Sequence, residues 1–598
     1  MRIATALGLG VVAAGLLTAC DDGTAPIAPN TSTTPGTLIE NPPLRVASLT
    51  QAALVAQFSA TTSGQQLLQL AGTPKCGVDF HYIQYQTVGG AGESATASGA
   101  LMIPTGGTGC TGARPIVLYA HGTAATKGYN IANITDSTNE AWSESALIAA
   151  LFAAQGYIVV APNYAGYDSS SLSYHPYLNG TQQSTEMINS LEAALSGLPN
   201  TAAGASTKSD GLLLLTGYSQ GGYVAMATHK AIQTTPITGI TLLASAPMSG
   251  PYALEAFGDT ILFGNVDLGS TEFLPLMTTS YQNSYGNVYT STSQVYSSTY
   301  ATGIDTLLPN AVSFETLVSE GKLPLLALFD CSPPSTGISA LDADLAPPSG
   351  CGSAATAATG FGTPALMNDT ARIGYALDAW SNPDGGFPPN GDTTPPAGAY
   401  QLATSPTFGL RVDLKKNDMR TWIPTGAAPI LMCGGHDDPT VFFASNTGVM
   451  EGFWPSALFS AQAVTVLDVD PDTGSGIATT VANVAATVFA TDLAASASAT
   501  KIATDIETAV IGTYPSYFTI TASGATPNSA QGVLVEEIAG VAAETVLTEY
   551  AAGVTSPSTM GTDVATAIEE NYHGSLVPPA CGTAVQGFFA QILALAGV

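Results

Sequence analysis

Continuous apolar runs alternate with amphipathic stretches from about residue 46 onward. Each run is apolar at successive rather than alternate positions, which is typical of strands buried on both faces of a parallel sheet. Amphipathic stretches at 142–154, 183–197 and 220–233 predict helices between these strands. The pattern therefore predicts an α/β fold with a mostly parallel central sheet flanked by helices. The predicted strands are Pro115–Ala120, Tyr157–Ala161, Leu212–Thr216, Ile240–Ala244, Pro429–Cys433 and Val464–Asp468.

Other stretches depart from this rhythm. Residues 78–103 alternate apolar and polar side chains and predict an antiparallel hairpin at the sheet edge, and 583–597 predicts a final helix. Residues 251–425 separate two consecutive predicted strands, far more than a usual connection of about 2–6 residues. A second stretch, 472–560, is rich in Ala, Thr and Val. Both are interpreted as insertions into the core, the second of them helical. In the first insertion, tyrosines at helical spacing predict an aromatic stripe that packs it onto the core; they are Tyr281, Tyr285, Tyr289, Tyr296 and Tyr300.

The N-terminus has the pattern of an export signal. Arg2 is followed by the apolar run Ile3–Leu17, which is too short for a typical membrane span. The run ends in Leu-Thr-Ala-Cys, similar to a bacterial lipobox, and this predicts a signal peptide at 1–19 and a lipid anchor on Cys20. An ordinary signal peptide with an incidental Cys is the alternative. Residues 20–45 predict a flexible tether, and 46–598 the folded domain.

Charge restricts the possible partners. The chain has 44 acidic and 14 basic residues, a net charge of −30, and only 10% charged residues. Nucleic-acid binding requires clustered Lys and Arg, so it is excluded. Anionic lipid headgroups would also be repelled, so membrane attachment is assigned to the lipid on Cys20. The anchored protein is expected to face the periplasm or the cell exterior.

Six cysteines remain besides Cys20, and an even number in an exported chain predicts three disulfides, for which fifteen pairings are possible. The chain has no CxxC motif and no Cys/His cluster with zinc spacing, so no metal or other cofactor is predicted. The acidic positions Asp468, Asp470 and Asp472 are interpreted as a solvated turn rather than a calcium loop, because the glycine falls one place late. The six cysteines are Cys76, Cys110, Cys331, Cys351, Cys433 and Cys581.

The strongest chemical motif is Gly-Tyr-Ser-Gln-Gly-Gly at 217–222, between a predicted strand and a predicted helix. A serine on such a sharp turn exposes its hydroxyl, and the glycines on either side relieve crowding. This predicts Ser219 as a nucleophile. The N–H groups of Gln220 and of Thr123, which lies in His-Gly-Thr directly after an upstream strand, are predicted to stabilise the oxyanion.

Chain order selects the remaining catalytic groups. On a strand–turn–helix nucleophile the acid and then the base follow the serine. His121 precedes Ser219 and is interpreted as structural, and His229 lies in the nucleophile's own helix, where a surface position is expected. His436 stands beside a pair of carboxylates just after a predicted strand, where the acid is expected, so His573 is the predicted general base. The acid is one of the two adjacent carboxylates that follow the strand at 429–433; these are Asp437 and Asp438.

Several motifs together resemble the secretory lipase group of α/β-hydrolases, the fungal lipase A type and its bacterial relatives. The resemblance covers roughly 46–250, 426–470 and 570–598. It implies an α/β-hydrolase fold, a lid at 251–425, and Asp438 as the acid, because the family's acid stands three residues before a Val. Asp437 is then a loop-capping or solvated neighbour. The matching motifs are HGT at 121–123, APNYAGYD at 161–168, HPYL at 175–178, GYSQGG at 217–222, GGHDDPTV at 434–441 and YHG at 572–574.

These assignments lead to expectations for pairing and function. If the triad forms, the acid and base loops meet, so Cys433 is expected to pair with Cys581. The other expected disulfides join Cys76 to Cys110 and Cys331 to Cys351. The expected function is a serine carboxylic ester hydrolase that acts on hydrophobic or polymeric esters. A serine peptidase of the same fold is the alternative, and a non-catalytic surface binding module is a third.

Overall fold

The computed structural model describes residues 32–60, 62–332, 334–349, 351, 360–386, 400–456, 463–472, 474–521 and 524–598. The predicted signal peptide, Cys20 and the first part of the tether lie outside the described residues. The end of the predicted tether packs on the domain: Ile39 N–H donates to the Gln84 carbonyl at 2.8 Å and Leu38 is buried. The packed domain therefore begins earlier than the predicted residue 46.

The core of the molecule is a mixed sheet in which one hairpin extends a parallel array. In the described part of the chain its order is β1-β2-β3-β5-β4-β6-β7-β8-β9. The pairs from β5 through β9 are parallel, whereas β1, β2, β3 and β5 pair antiparallel. The strands are β1 Leu44–Leu49, β2 Gly77–Val88, β3 Ser94–Thr105, β4 Gly112–Ala120, β5 Ile158–Pro162, β6 Thr207–Tyr218, β7 Thr241–Met248, β8 Ile430–Gly434 and β9 Val464–Asp468.

The six predicted parallel strands and the antiparallel hairpin are confirmed, but β1 pairs with the outer side of β2, so the hairpin does not form the edge of the sheet. The central runs are apolar throughout because helices cover both faces of the sheet, and every residue of β5 and of β8 is buried. The β2–β3 hairpin keeps one unbroken register, from Gly77 opposite Thr105 to Val88 opposite Ser94. A separate two-stranded ribbon consists of β10 Phe518–Thr521 and β11 Gly524–Pro527.

Helices cover the sheet and build both insertions. Those of the core are α1 Gln51–Ser59, α2 Thr62–Ala71, α3 Trp142–Leu151, α4 Gly180–Gly197 and α5 Gln220–Thr234. Between β7 and β8 lie α6 Leu254–Leu262, α7 Ser270–Tyr285, α8 Phe314–Ser319, α9 Ser339–Asp344, α10 Asp369–Ser381 and α11 Gly409–Asn417. After β8 come α12 Thr447–Ser456, α13 Ile477–Ala494, α14 Ala499–Thr513, α15 Ala530–Ala551, α16 Pro557–Asn571 and α17 Val577–Ala596.

The tyrosine stripe does not follow one helix. Helix α7 ends at Tyr285, because Gly286 adopts a left-handed conformation with φ 73°. Tyr281 and Tyr285 share its face, while the three later tyrosines lie in the following loops and short turns. Tyr281 and Tyr296 are fully buried, so the stripe does pack the insertion onto the core. The prediction that all five tyrosines share one helical face was wrong.

Two helical stretches in the described chain have the length and apolar composition of a membrane span, Ile477–Ala494 and Pro557–Ala596. Both bury part of their surface inside the domain. Phe489 of α13 and Phe589 of α17 are fully buried in the core. Their composition is therefore accounted for in part by packing within the protein.

Candidate active site

Ser219 lies on the sharp turn that joins β6 to α5. Its backbone is left-handed, with φ 57° and ψ −123°, a conformation that bulky residues rarely adopt. The turn needs glycines on both sides: a Cβ on Gly221 would lie 1.9 Å from the Ala120 carbonyl oxygen, and one on Gly217 would lie 2.5 Å from the same atom. The close approach to β4 explains the glycines of the motif, as the sequence predicted.

The structure brings the predicted serine, histidine and Asp438 into one hydrogen-bonded chain. His573 Nε2 lies 2.8 Å from Ser219 Oγ, and His573 Nδ1 lies 2.6 Å from Asp438 Oδ2. Asp438 is 3% exposed and Ser219 is 9% exposed. This geometry allows the imidazole to take the serine proton while the carboxylate holds its other nitrogen.

The two adjacent aspartates have different partners. Asp438 Oδ1 accepts hydrogen bonds from the N–H groups of Thr440 and Val441 at 2.9 and 3.0 Å, which orient Oδ2 toward the histidine. Asp437 instead accepts from the N–H of Ile477 at 2.8 Å, at the start of α13. Asp437 therefore anchors the second insertion and does not contact His573 through a hydrogen bond.

His573 is held within a helical turn and not in the loop that the sequence predicted. Residues Tyr572–Leu576 form a π-helical turn that joins α16 to α17 without a break. Such a turn is a frequent feature of functional sites. The Tyr218 hydroxyl donates to the His573 carbonyl at 2.6 Å, and the Tyr572 hydroxyl donates to Asp470 Oδ2 at 2.6 Å. Both tyrosines thus fix the backbone that carries the histidine.

The predicted oxyanion donors lie beside the nucleophile. Among the described residues, no group accepts from the backbone N–H of Thr123 or Gln220, so both are free for a ligand. A Cβ on Gly122 would lie 3.8 Å from the Cβ of Ser219, which places this segment against the serine. The second donor is the N–H of Gln220, the first residue of α5. The N–H groups in the first turn of a helix lack partners within the helix.

A glutamate that the sequence did not single out holds the oxyanion segment. Glu144 Oε1 accepts from the Gly122 N–H at 3.2 Å and from the Tyr119 hydroxyl at 2.7 Å, and its Oε2 accepts from Tyr129 at 2.8 Å. Burial raises the pKa of Glu144 even though these hydrogen bonds lower it. No sequence motif marks this residue, because its partners come from three separate segments.

The other histidines have structural partners. His121 is fully buried between the rings of Tyr129 and Tyr164, with centroid distances of 4.2 and 4.0 Å, and burial lowers its pKa to about 4. His229 is also buried, with Nδ1 2.7 Å from Ser245 Oγ, so the surface position expected for it was wrong. The face of helix α5 that carries His229 packs against β7.

His175, in the HPYL motif, supports the nucleophile's neighbour. Its Nδ1 lies 2.8 Å from the Ala165 carbonyl oxygen and donates to it, so its Nε2 accepts from the side-chain amide of Gln220 at 2.6 Å. Burial lowers the pKa of His175 to about 3, which keeps the imidazole neutral. The contact fixes Gln220, whose backbone N–H is one of the two predicted oxyanion donors.

All three expected disulfides are present: Cys76–Cys110, Cys331–Cys351 and Cys433–Cys581. The third joins the end of β8, just before the acid loop, to α17, just after His573. It therefore connects the two segments that carry the acid and the base.

One group of side chains near the acid loop has the composition of a metal site. Ligand atoms of His436, Asp437 and Asp470 all lie within 4.8 Å of one another. These residues already have protein partners, since His436 Nδ1 lies 2.7 Å from Asp468 Oδ2 and Asp470 accepts from Tyr572. The carboxylates of Asp470 and Asp468 raise the pKa of His436 despite its partial burial, which lowers it. These contacts describe the cluster as a network of ion pairs and hydrogen bonds next to the loop that carries Asp438.

An apolar cavity opens at Ser219. It runs between Ser219 and the helices of the first insertion. The wall includes Ser219, Gln220 and Tyr177 at one side and many large apolar side chains from α6, α7 and α11, among them Leu254, Phe257, Leu274, Met277, Leu410 and Leu414.

Comparison with known proteins finds similarity at the level of structure. No protein-family model matches the chain, and no curated protein matches it in sequence. Among solved structures, the rice cell wall degrading esterase LipA from Xanthomonas oryzae has a TM-score of 0.54 at 26% identity, covering 74% of this chain and 92% of that one. A putative hydrolase from Legionella pneumophila has a TM-score of 0.50 at 18% identity, with 72% and 91% coverage.

Proposed function

Because this chain is an α/β-hydrolase of the esterase and lipase type and acts as a carboxylic ester hydrolase, we propose that it cleaves hydrophobic or polymeric esters through an acyl-enzyme on Ser219. We further propose that it is exported and held at a membrane by a lipid on Cys20. The observation that carries the chemical part is the hydrogen-bonded chain from Ser219 through His573 to Asp438.

In the proposed acylation step, Ser219 Oγ attacks the ester carbonyl carbon while His573 Nε2 takes its proton. The carbonyl oxygen becomes an oxyanion, which accepts hydrogen bonds from the N–H groups of Thr123 and Gln220. His573 then gives the proton to the departing alcohol. Asp438 stabilises the imidazolium that forms in between. A water molecule activated by His573 releases the acid in the same way.

The cavity favours ester substrates with apolar acyl chains over peptides. Its lining is dominated by Leu, Phe and Met side chains, so burial of an acyl chain there gains hydrophobic free energy. The Xanthomonas oryzae neighbour is described as a cell wall degrading esterase, which supports an extension of the proposal to esters within polymers.

The N-terminal pattern and the disulfides support export. Arg2, the apolar run and Leu-Thr-Ala-Cys at 17–20 have the order of a lipoprotein signal. The protein has three disulfides. Disulfides form and persist in oxidising compartments and are rare in the cytosol of most organisms. A surface with a net charge of −30 would not bind an anionic bilayer without such a lipid.

Replacement of the nucleophile tests the chemical proposal. We expect Ser219→Ala to lower the hydrolysis of 4-nitrophenyl esters at least a thousandfold, because it removes the attacking oxygen without disturbing the core. The wild-type protein should cleave these esters much faster than matched aminoacyl 4-nitroanilides. Both series are measured by steady-state absorbance.

Ser190→Ala is the matched control, since Ser190 is also buried and, within the described part of the chain, its hydroxyl bonds only inside α4, to the Met187 carbonyl at 2.7 Å. It should retain wild-type activity. Hydrolysis by Ser219→Ala above a thousandth of the wild-type rate would assign the chemistry to another residue, and faster cleavage of the anilides would favour a peptidase.

A further inference from the structure

A buried carboxyl group forms part of the wall of the cavity at Ser219. Asp267 is 4% exposed and lines this cavity. Its Oδ1 accepts a hydrogen bond from the Ser270 hydroxyl, whereas its Oδ2 is shielded from water and has no hydrogen-bond partner among the described residues. Buried polar atoms are nearly always paired, so this oxygen points to a ligand that pairs with it.

Asp267 is connected to the acid loop through the next residue. The next residue, Leu268, donates its N–H to the Pro439 carbonyl at 2.9 Å, directly beside the catalytic acid. Tyr177, which also lines the cavity, shares a 3.0 Å hydrogen bond with the Thr123 hydroxyl of the oxyanion segment. The bond from Leu268 to Pro439 places Asp267 on the acid-loop side of the cavity, and Ser219 and Tyr177 line the same cavity.

The surroundings favour the neutral form of this carboxyl. Burial raises its pKa well above the usual value, and the negative charge of Asp438 raises it further. Its own backbone N–H lowers it only in part. A protonated carboxyl both donates and accepts hydrogen bonds, so Oδ2 can pair with a hydroxyl group.

The remainder of the cavity accommodates an apolar chain. Beyond the serine, its wall is formed by large apolar side chains of the insertion helices, such as Phe257, Leu274 and Met277. An acyl chain on Ser219 that occupies this space would share the cavity with Asp267, which lies on its acid-loop side. A polar substituent near the ester carbonyl would thus meet the carboxyl group, and the rest of the chain would be buried in apolar surroundings.

Resting on the ester hydrolase function proposed above, we infer that Asp267 is a specificity-determining residue that binds a hydroxyl group near the carbonyl of the acyl chain. The preferred substrates are then esters of hydroxy acids with an apolar tail, rather than esters of plain alkanoic acids. A site built to hydrogen-bond a substrate hydroxyl discriminates against the analogue that lacks it, because a buried group is then left unpaired.

The test compares 4-nitrophenyl hexanoate with the 2- and 3-hydroxyhexanoate esters. We expect the wild-type kcat/KM to be about tenfold higher for at least one hydroxy ester, and Asp267→Ala to lower this ratio about tenfold. The change in ratio between variants cancels differences in intrinsic reactivity of the esters. Asp267→Asn, which keeps a hydrogen-bonding group of the same shape, should retain most of the preference.

Asp413→Ala is a matched control. Asp413 is also a buried carboxyl of the first insertion with one bonded and one unpaired oxygen, since Oδ1 accepts from Asn287 at 3.1 Å. Its neighbours Leu410 and Leu414 line the cavity, but Asp413 does not. Its replacement should leave the hydroxy ester ratio unchanged, so a general loosening of the insertion is separated from loss of recognition.

A second pair of substrates, ethyl and 2-hydroxyethyl hexanoate, carries the hydroxyl in the alcohol part, and Asp267→Ala should not change their ratio. An effect on this pair alone would overturn the acyl assignment. A wild-type protein without preference, or an Asp267→Ala variant that keeps it, would overturn the inference even if alkanoate esters are cleaved. Absence of all ester hydrolysis would instead refute the proposed function itself.

Discussion

At the scale of single residues, neighbouring side chains of one type have separate tasks because their backbones face different partners. Asp438 is buried and contacts His573, whereas Asp437 is partly exposed and accepts from the first N–H of α13. Gly221 and Gly217 are required because β4 passes too close for any side chain. Local geometry therefore decides which of two similar residues takes part in the chemistry.

This difference predicts the outcome of two conservative substitutions. Asp438→Asn should lower kcat by about 10⁴, because the imidazole loses the group that holds its tautomer and stabilises its charged form. Asp437→Asn should lower kcat less than about tenfold, because a partly solvated neighbour contributes only a screened interaction. Steady-state ester hydrolysis measures both, and the reverse ranking would transfer the acid role to Asp437.

At the scale of elements, the site depends on segments that are far apart in sequence. The strand β8 leads into the loop with Asp438, and the junction of α16 with α17 carries His573, after an intervening insertion of helices. Three contacts hold the junction: Tyr218 with His573, Tyr572 with Asp470, and the disulfide from Cys433 to Cys581. The helical insertion is thus tied at both ends to the catalytic core.

The disulfides provide a prediction at this scale. A disulfide stabilises the folded state because it restricts the conformational entropy of the unfolded chain. Removal of Cys433–Cys581, whose sequence separation is 148, should therefore lower the free energy of unfolding by about 5 kcal/mol. Removal of Cys331–Cys351, with a separation of 20, should lower it by about 3 kcal/mol. Each pair is replaced by Ser, and urea unfolding is measured. Only the first replacement should also reduce ester hydrolysis in the folded protein, and equal activity of the two variants would contradict the bracing role.

At the scale of the whole molecule, acidic residues far outnumber basic residues, with 44 against 14. The net charge is −30, and several carboxyls are buried without a basic partner close enough to offset the burial. Burial raises the pKa of Glu186 and of Glu537 to about 7, and that of Asp413 also to about 7. The folded chain therefore holds protons that the unfolded chain would release.

This predicts that the protein is more stable in mild acid. Between the ordinary carboxyl pKa values of about 4 and a folded value of about 7, these carboxyl groups bind more protons in the folded state, so their contribution to the free energy of unfolding falls as the pH rises. Buried histidines such as His121 and His175, whose pKa burial lowers, act in the opposite direction below about pH 6.5, but the carboxyl groups with a raised pKa outnumber them. Urea unfolding at pH 5.5 should need more denaturant than at pH 8. Glu186→Gln should reduce the difference, and 0.5 M salt in both buffers screens the surface charges. Equal stability at both pH values would contradict the prediction.

The proposed lipid anchor also belongs to the whole molecule. Cys20→Ala should move the exported protein from the membrane pellet to the soluble fraction, because acylation and not the domain surface supplies the hydrophobic anchor. Cell fractionation with an antibody against the domain measures the distribution, and Cys331→Ser with Cys351→Ser serves as a cysteine control. A Cys20→Ala protein that still pellets would contradict the proposal.

The sequence alone determined the features whose physical cause is local. The apolar runs identified the strands, because strands buried on both faces must be apolar throughout. The glycines around Ser219 marked the turn, and chain order left His573 as the base. The family resemblance selected Asp438. The six cysteines were expected to pair as they do, although the Cys433–Cys581 pairing rested on the assumption that the triad forms.

Only the tertiary structure decided the features that depend on distant segments. Glu144 and His175 support the oxyanion donors through partners from several segments, and no local pattern marks them. His229 is buried because α5 packs on β7, and the base lies in a π-helical turn because α16 continues into α17. Asp267 became recognisable only when the cavity brought it beside the triad. Periodicity reports the environment of one element, whereas these roles arise from contacts between elements.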